Sequence, residues 1–152
     1  MDQKALARKN LDKRLAALRE IPLAMPARGW IRAIREALGM TTAQLAERIG
    51  VKQPRIIALE KAEANGTTTL KSLRDAAEAM DCTLVYALVP TMPLEAMVKT
   101  RAKQKADTEV ARLHHSMALE NQALEPGDLA AERERLVEEL LQGPLGRLWD
   151  TK

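Results

Sequence analysis

Two short stretches of the chain carry side chains whose types and spacing indicate binding chemistry. In residues 53–61 a glutamine, an arginine and a lysine recur on one short predicted helix. The planar fork of arginine can bond O6 and N7 of guanine, and glutamine can bond adenine in the same bidentate way. In residues 116–121 a serine and a glutamate stand four apart, so a helix places both on one face. The first stretch therefore carries side chains that can bond base edges, and the second forms a single contact surface.

Residues 42–61 predict two short helices joined by a tight turn. Ala46 is small enough for the second helix to cross over it, and Gly50 supplies the left-handed backbone of the turn. The positions expected to hold the two helices at a fixed angle are all apolar: Leu45, Ile49, Val51, Ile56 and Leu59.

With the flanking predicted helices 30–38 and 70–80, these residues resemble the XRE family of helix-turn-helix repressors, the lambda-repressor-like and Cro type, over residues 30–81. The resemblance implies that residues 53–61 form the recognition helix, whose N-terminal end enters the major groove. It also implies that Ile57 faces outward, that Ile56 and Leu59 face inward, and that the DNA contacts come from Thr42, Lys52, Gln53, Pro54, Arg55, Ala58 and Lys61. Lys52 departs from the family, which usually has a serine or threonine cap there.

Arg35 and Glu60 occupy positions at which the same family often has an ion pair. Such a pair would fix the pose of the recognition helix. The alternative is that Glu60 is a solvated carboxylate near a helix end, because many surface pairs contribute only about 0–1 kcal/mol.

Ser116, Glu120 and Asn121 match the pattern Ser/Thr-x-x-x-Glu-Gly/Asn. This pattern resembles the inhibitory motif of antitoxins for Fic-domain adenylyltransferases, and the whole chain resembles the family called mobile mystery protein A, which is found beside a Fic-domain partner. The resemblance implies that Glu120 pairs with an active-site arginine that would otherwise hold the γ-phosphate of ATP. The alternative is that Glu120 faces solvent on a dimerisation helix.

The elements around these stretches predict an all-α protein with one short β-strand. We expect three segments: a basic helix and linker in 1–28, the helix-turn-helix domain with its terminal strand in 29–90, and a helical region in 91–152. The strand is predicted at 82–89, which is rich in β-branched and aromatic residues. A lone strand needs a partner, so we expect a homodimer paired through this strand. Residues 99–109 are nearly all polar or alanine and are expected to bend or fray without a partner.

The charge pattern is uneven: residues 1–40 carry a net charge of +5, residues 41–90 of 0, and residues 91–152 of −2. The basic N-terminal helix either lies along DNA phosphates or packs through its leucines with its charges in water. The single cysteine, Cys82, excludes an intrachain disulfide and a cysteine-based zinc site. His114 and His115 are adjacent and point apart, so we expect no metal site.

The chain lacks a predicted membrane span and a signal peptide, and together with its single cysteine this predicts a cytoplasmic protein. No nucleophile–base pair or cofactor loop is recognisable, so we expect neither enzymatic activity nor a cofactor. The predicted function is an antitoxin and transcriptional autorepressor with two partners, double-stranded operator DNA and a Fic-domain toxin. One alternative is a stand-alone repressor whose C-terminal helices dimerise it or sense a ligand. Another is an interaction protein whose helix-turn-helix has lost its DNA affinity.

Overall fold

In the computed structural model the chain forms two compact units. Unit 1 comprises Met1–Ile21 with Val89–Lys152, and unit 2 comprises Pro22–Leu88. The structure describes residues 2–122 and 124–151, so residues 1, 123 and 152 of the predicted outer segments lie outside it. The N-terminal helix joins the C-terminal helices in one unit, an association that the predicted three-segment division does not include.

Every regular element in the described ranges is helical. The elements are α1 (Gln3–Arg19), α2 (Trp30–Ala37), α3 (Thr42–Ile49), α4 (Gln53–Asn65), α5 (Leu70–Ala79), α6 (Leu94–Leu119), α7 (Pro126–Gln142) and a 3-10 helix at Leu145–Trp149.

One helix extends beyond its predicted bounds for an identifiable reason. The recognition helix was expected to stop at Lys61, but α4 continues to Asn65 and ends where Gly66 adopts a left-handed backbone with φ of 73°. Helix α7 begins at Pro126, because proline fits the first helical position, where its missing N–H has no partner to lose.

The core of unit 2 takes a side chain from each of its four helices. The buried residues are Ile31, Leu45, Ala46, Ile56, Ala76 and Met80. Full burial of a leucine or isoleucine side chain stabilises the fold by about 1.5–3 kcal/mol, so Leu45 and Ile56, both fully buried, contribute most to holding α3 and α4 together.

The structure of the single chain does not support the predicted strand at 82–89. Residues 82–90 are extended, but no strand is present in the described residues. A strand requires a ladder of backbone hydrogen bonds to a neighbour, and the remainder of unit 2 is helical and offers no sheet edge. The β-propensity of these residues therefore predicted an extended backbone correctly, but propensity does not predict strand pairing. The architecture of the described residues is all-α.

Unit 1 is built on the packing of α6 against α7 and the 3-10 helix. Its core contains Val98, Ala102 and Leu148. The expectation that residues 99–109 bend or fray is also wrong, because α6 is continuous and both Ala102 and Ala106 are fully buried. Alanines four apart lie on one face of the helix and let a neighbouring element approach closely. Asp107 also pairs with Arg133 of α7, and this hydrogen bond lowers the pKa of the carboxyl group.

Helix α1 is attached to the start of α6 by polar contacts. Asp12 accepts hydrogen bonds from the backbone N–H groups of Leu94, at 2.6 Å, and Glu95, at 3.2 Å. Arg8 pairs with the side chain of Glu95 at 2.8 Å, and Arg19 donates to the Pro90 carbonyl at 3.0 Å. Pro93, the residue before α6, supplies no side-chain cap, so Asp12 caps this helix from a distance in sequence.

No helix in residues 2–122 and 124–151 is long and apolar enough to cross a membrane. Over the same residues, no cluster of three or more His, Cys, Asp or Glu side chains is placed to hold a metal ion.

The remote cap gives a testable prediction for unit 1. Replacing Asp12 with alanine should lower its free energy of unfolding by about 1–2 kcal/mol, because two N–H groups at the start of α6 lose their acceptor. Urea unfolding followed by Trp149 fluorescence, in a Trp30→Phe background, measures this. Asp128→Ala is the matched control, because Asp128 lies in the first turn of α7 without capping it. Equal losses in the two variants would contradict the capping role.

Candidate functional site

The N-terminal ends of α3 and α4 are set by local backbone chemistry. The Thr41 side chain accepts a hydrogen bond from the Gln44 N–H, and the Gln44 side chain accepts one from the Thr41 N–H, so the two form a capping box. Gly50 ends α3 in the left-handed conformation with φ of 87°. Lys52 precedes α4 and makes no side-chain cap, which agrees with the weaker cap that the departure from the family predicts.

The predicted contact residues lie on the exposed surface at the start of these two helices. Lys52, Gln53, Pro54, Arg55, Ala58 and Lys61 are exposed, as is Ile57, and Thr42 is half-buried. The side-chain amide of Gln53 donates to the Thr42 hydroxyl at 2.8 Å, which joins the first residue of α3 to the first residue of α4. Ile56 is buried and Leu59 half-buried, so these two side chains face inward, as the sequence predicts.

The opposite side of α4 is held by a buried ion pair. Arg35 of α2 donates from Nε to Glu60 Oε1 at 2.5 Å and from Nη2 to Glu60 Oε2 at 3.1 Å. Both side chains are less than one-tenth exposed, and Nη1 of Arg35 also donates to the Met40 carbonyl at 2.9 Å. The hydrogen bond to Glu60 raises the pKa of the Arg35 guanidinium. The predicted pair is therefore confirmed, and the alternative of a solvated Glu60 is wrong.

A second carboxylate of α4, which sequence reasoning missed, also contacts α2. Glu63 is buried, and its Oε1 accepts a hydrogen bond from the Ile31 N–H at 2.9 Å. Gly29 precedes α2 with φ of 88°, and a Cβ at that position would collide with the Glu63 side chain. The sequence could have indicated this contact, because α2 begins after a glycine rather than a Ser, Thr, Asp or Asn cap. The free N–H groups of such a helix start need an acceptor from elsewhere in the chain.

Sequence reasoning also missed a polar edge beside the recognition helix. A cavity of 340 Å³ lies between α4 and the start of α5, and its lining includes Arg55, Thr67, Thr69 and Ser72. Thr69 caps α5 by accepting a hydrogen bond from the Ser72 N–H at 3.1 Å. Three consecutive threonines before a predicted helix were the signal, because hydroxyls at a helix start can bond phosphate oxygens.

One comparison decides the class of this domain. Residues 31–86 match the family model described as Helix-turn-helix, somewhat more than a third of the chain. Residues 31–86 therefore form a helix-turn-helix domain. The match supports a DNA-binding transcription regulator of the XRE type and covers α2 to α5 of the helix-turn-helix domain together with most of the extended segment after them. No curated protein and no solved structure is significantly similar to the chain.

The second predicted motif lies at the end of α6, in unit 1. Ser116 is exposed on the last turns, Glu120 is the exposed residue that ends the helix, and Asn121 follows in a left-handed conformation with φ of 57°. The Gln122 N–H donates to the Met117 carbonyl at 2.8 Å, which closes the helix end in a Schellman arrangement. Asparagine or glycine suits this position because only those residues readily take the left-handed turn.

The buried ion pair gives a prediction for the helix-turn-helix domain. Glu60→Ala should lower its free energy of unfolding by about 3–5 kcal/mol, because Arg35 is left buried without its partner. Glu36→Ala is the comparison variant, since Glu36 pairs with Arg32 at the exposed surface and lies 4.0 Å from Arg35, so its removal should cost much less than that of Glu60. Urea unfolding followed by Trp30 fluorescence, in a Trp149→Phe background, separates the two.

A double variant that removes both charges tests the same ion pair. Arg35→Met with Glu60→Leu should recover most of the stability lost in Glu60→Ala, because no unpaired charge stays buried. A Glu60→Ala protein as stable as the Glu36→Ala protein would show that the pair does not hold α4.

Proposed function

We propose that the chain is an operator-binding transcriptional repressor that reads DNA with the first two turns of α4. The observation that carries the proposal is the division of α4 into two faces. One face presents Arg55 and Lys61 to solvent, and the other is held to α2 by the carboxylates of Glu60 and Glu63, while Gln53 is exposed at the N-terminal end of the helix. Base readout needs donors on a rigid element, because a loosely held fork loses the geometry that distinguishes guanine from other bases.

The exposed residues divide by chemistry into base readers and phosphate contacts. Arg55 suits guanine, and Gln53 retains a carbonyl oxygen and one N–H for adenine while its other N–H bonds Thr42. Lys52 and Lys61 suit phosphates, and Thr42 stands at a helix N-terminus whose free N–H groups also favour an anion. Pro54 and Ala58 offer small apolar contacts for a thymine methyl group.

The repressor proposal predicts a base-specific loss in Arg55→Ala. On an operator duplex selected by the wild-type protein from random sequences, its affinity should fall by about 1–3 kcal/mol, and the preference at one base position should relax. Lys61→Ala is the comparison variant: it should weaken all duplexes alike and reduce the slope of log affinity against log salt by about one. An Arg55→Ala protein with unchanged affinity and preference would remove Arg55 from the reading surface.

We also propose that the end of α6 inhibits a Fic-domain toxin, which would make the chain an antitoxin and autorepressor of the mobile mystery protein A type. Ser116 and Glu120 lie one turn apart, and both side chains are exposed. Leu113 and Leu119 are also exposed, at 37% and 76%, and lie to either side of Ser116 and Glu120 around the helix. This surface offers a partner two apolar contacts beside one carboxylate that can pair with a cation.

The carboxylate of Glu120 suits the inhibitory role by its chemistry. A carboxylate can bond a guanidinium through two parallel hydrogen bonds, as a phosphate does. Glu120 would therefore occupy the arginine of the toxin that binds the γ-phosphate of ATP. Asn121 ends the helix immediately afterwards, so the backbone turns away and leaves Glu120 at the tip of α6.

The antitoxin proposal predicts that Glu120→Gly restores adenylylation by a cognate Fic enzyme, measured by ATP labelling of its target. Ser116→Ala should have a smaller effect, because a neutral hydrogen bond contributes about 0.5–1.5 kcal/mol and a charge-assisted one contributes more. Operator affinity should hardly change in either variant. The proposal fails if the Glu120→Gly protein suppresses labelling as fully as the wild type does.

A stand-alone repressor is the alternative. The family match favours it, because that match covers the residues proposed to contact DNA and ends before α6. A Fic-domain gene next to the one for this chain supports the antitoxin, and its absence supports the alternative.

A further inference from the structure

The helix-turn-helix domain has a wide apolar groove on its surface. The groove has a volume of 520 Å³ and is lined by the linker before α2, by α2 and α5, and by the extended segment 82–86. Ligand sites in proteins have volumes of about 300–1,000 Å³ and combine apolar walls with a few polar groups. The groove is therefore large enough to hold a small organic molecule.

A carboxylate from α4 stands in this apolar surface. Among the described residues, Glu63 is the one charged member of the lining, and it is only 7% exposed. Its Oε1 accepts a hydrogen bond from the Ile31 N–H at 2.9 Å. Its Oε2 has no hydrogen-bond partner within the described residues, yet this atom is not sealed from solvent. A ligand in the groove can therefore reach the second oxygen.

A protonated amine fits this free oxygen. The N-terminus of α2 supplies about half a positive charge, and the Ile31 N–H bonds Oε1 alone. An ionised carboxylate accepts hydrogen bonds on both of its oxygens, so Oε2 can still take a donor. An ammonium group supplies a positive charge and the donor together, and such a charge-assisted hydrogen bond is stronger than a neutral one.

The walls around the carboxylate suit an apolar body. Leu23, Val85 and Tyr86 are 77%, 83% and 66% exposed, so the chain by itself leaves much of the groove in water. Contiguous apolar surface of this kind marks an interaction site. Trp30 also lines the groove, and the faces of tryptophan and tyrosine rings attract cations as well as apolar groups.

We propose that the groove binds a small cationic amphiphile, a molecule with an apolar body and a primary ammonium group that donates to Glu63 Oε2. The charge of the lining selects this class. A neutral apolar molecule would cover Oε2 without a donor, and an anion would face the carboxylate, so both would lose free energy on binding. The lining contains none of the residues proposed to contact DNA, so the inference depends on neither of the proposed functions.

A series of compounds with one apolar body tests the class of ligand. At pH 7, 4-phenylbutylamine carries an ammonium group, 4-phenylbutanol a hydroxyl and 4-phenylbutyrate a carboxylate. In calorimetric titrations of the full chain up to about 10 mM compound, the amine should bind at least about tenfold more tightly than the alcohol, and the carboxylate should not bind. The fluorescence of Trp30, in a Trp149→Phe background, should change with the same dissociation constant, which places the amine in the groove.

Glu63→Gln tests the carboxylate itself. The glutamine carbonyl can still accept the Ile31 N–H, so the variant removes the charge and keeps the contact with α2. Its affinity for 4-phenylbutylamine should fall at least about tenfold, whereas its affinity for 4-phenylbutanol should change less than about threefold. Glu78→Gln is the matched control, because it makes the same change of charge at an exposed position of α5 that does not line the groove. Its affinities should equal those of the wild type.

The proposal is overturned if the alcohol or the carboxylate binds as tightly as the amine, or if Glu63→Gln and Glu78→Gln bind the amine alike. A chain that binds none of the compounds also overturns it, and sedimentation equilibrium then shows whether a second copy covers the groove. The compound series uses the wild-type sequence, so it decides even if Glu63→Gln loses its helix content.

Discussion

The ion pair between Arg35 and Glu60 is the constraint on which the recognition helix depends. Its two hydrogen bonds lock a planar fork against a planar carboxylate, so they fix the rotation of α4 about its axis as well as its distance from α2. Apolar packing alone fills space but tolerates small rotations. Arg55 lies on the other side of the same helix, where a small rotation would move its guanidinium by much of a hydrogen-bond length.

The two carboxylates of α4 act as a matched set. Glu60 and Glu63 are three residues apart on α4, and their partners Arg35 and Ile31 are four apart on α2. The later residue of α4 contacts the earlier residue of α2, so the two helices run antiparallel at these contacts. The Glu60 carboxylate meets a side-chain cation, and the Glu63 carboxylate meets the positive end of the α2 dipole. Each of the two buried carboxylates is therefore compensated, Glu60 by a charged side chain and Glu63 by a helix N-terminus.

Sequence patterns predicted the helix-turn-helix well, because its constraints are local. The Thr41 cap, the left-handed Gly50 and the alternation of Ile56 with exposed neighbours each act within a few residues. Contacts distant in sequence were harder: the cap of Asp12 on α6 joins residues more than 80 apart, and no local pattern announces it. The strand at 82–89 was predicted from propensity, which senses the extended backbone but not whether a neighbour is present. Residues 99–109 looked too polar to pack, because a composition average does not show that two alanines share one face.

The contact between Arg19 and the carbonyl of Pro90 marks where the helix-turn-helix domain is inserted into the sequence of unit 1. It lies next to both points where the backbone passes between units, so the helix-turn-helix domain is an insertion within unit 1. A ribosome completes residues 22–88 before any residue of α6 exists, and domains fold as units during synthesis. Until α6 is made, Asp12 and Arg8 of α1 therefore lack the groups that they contact in unit 1, while the helix-turn-helix domain can already fold.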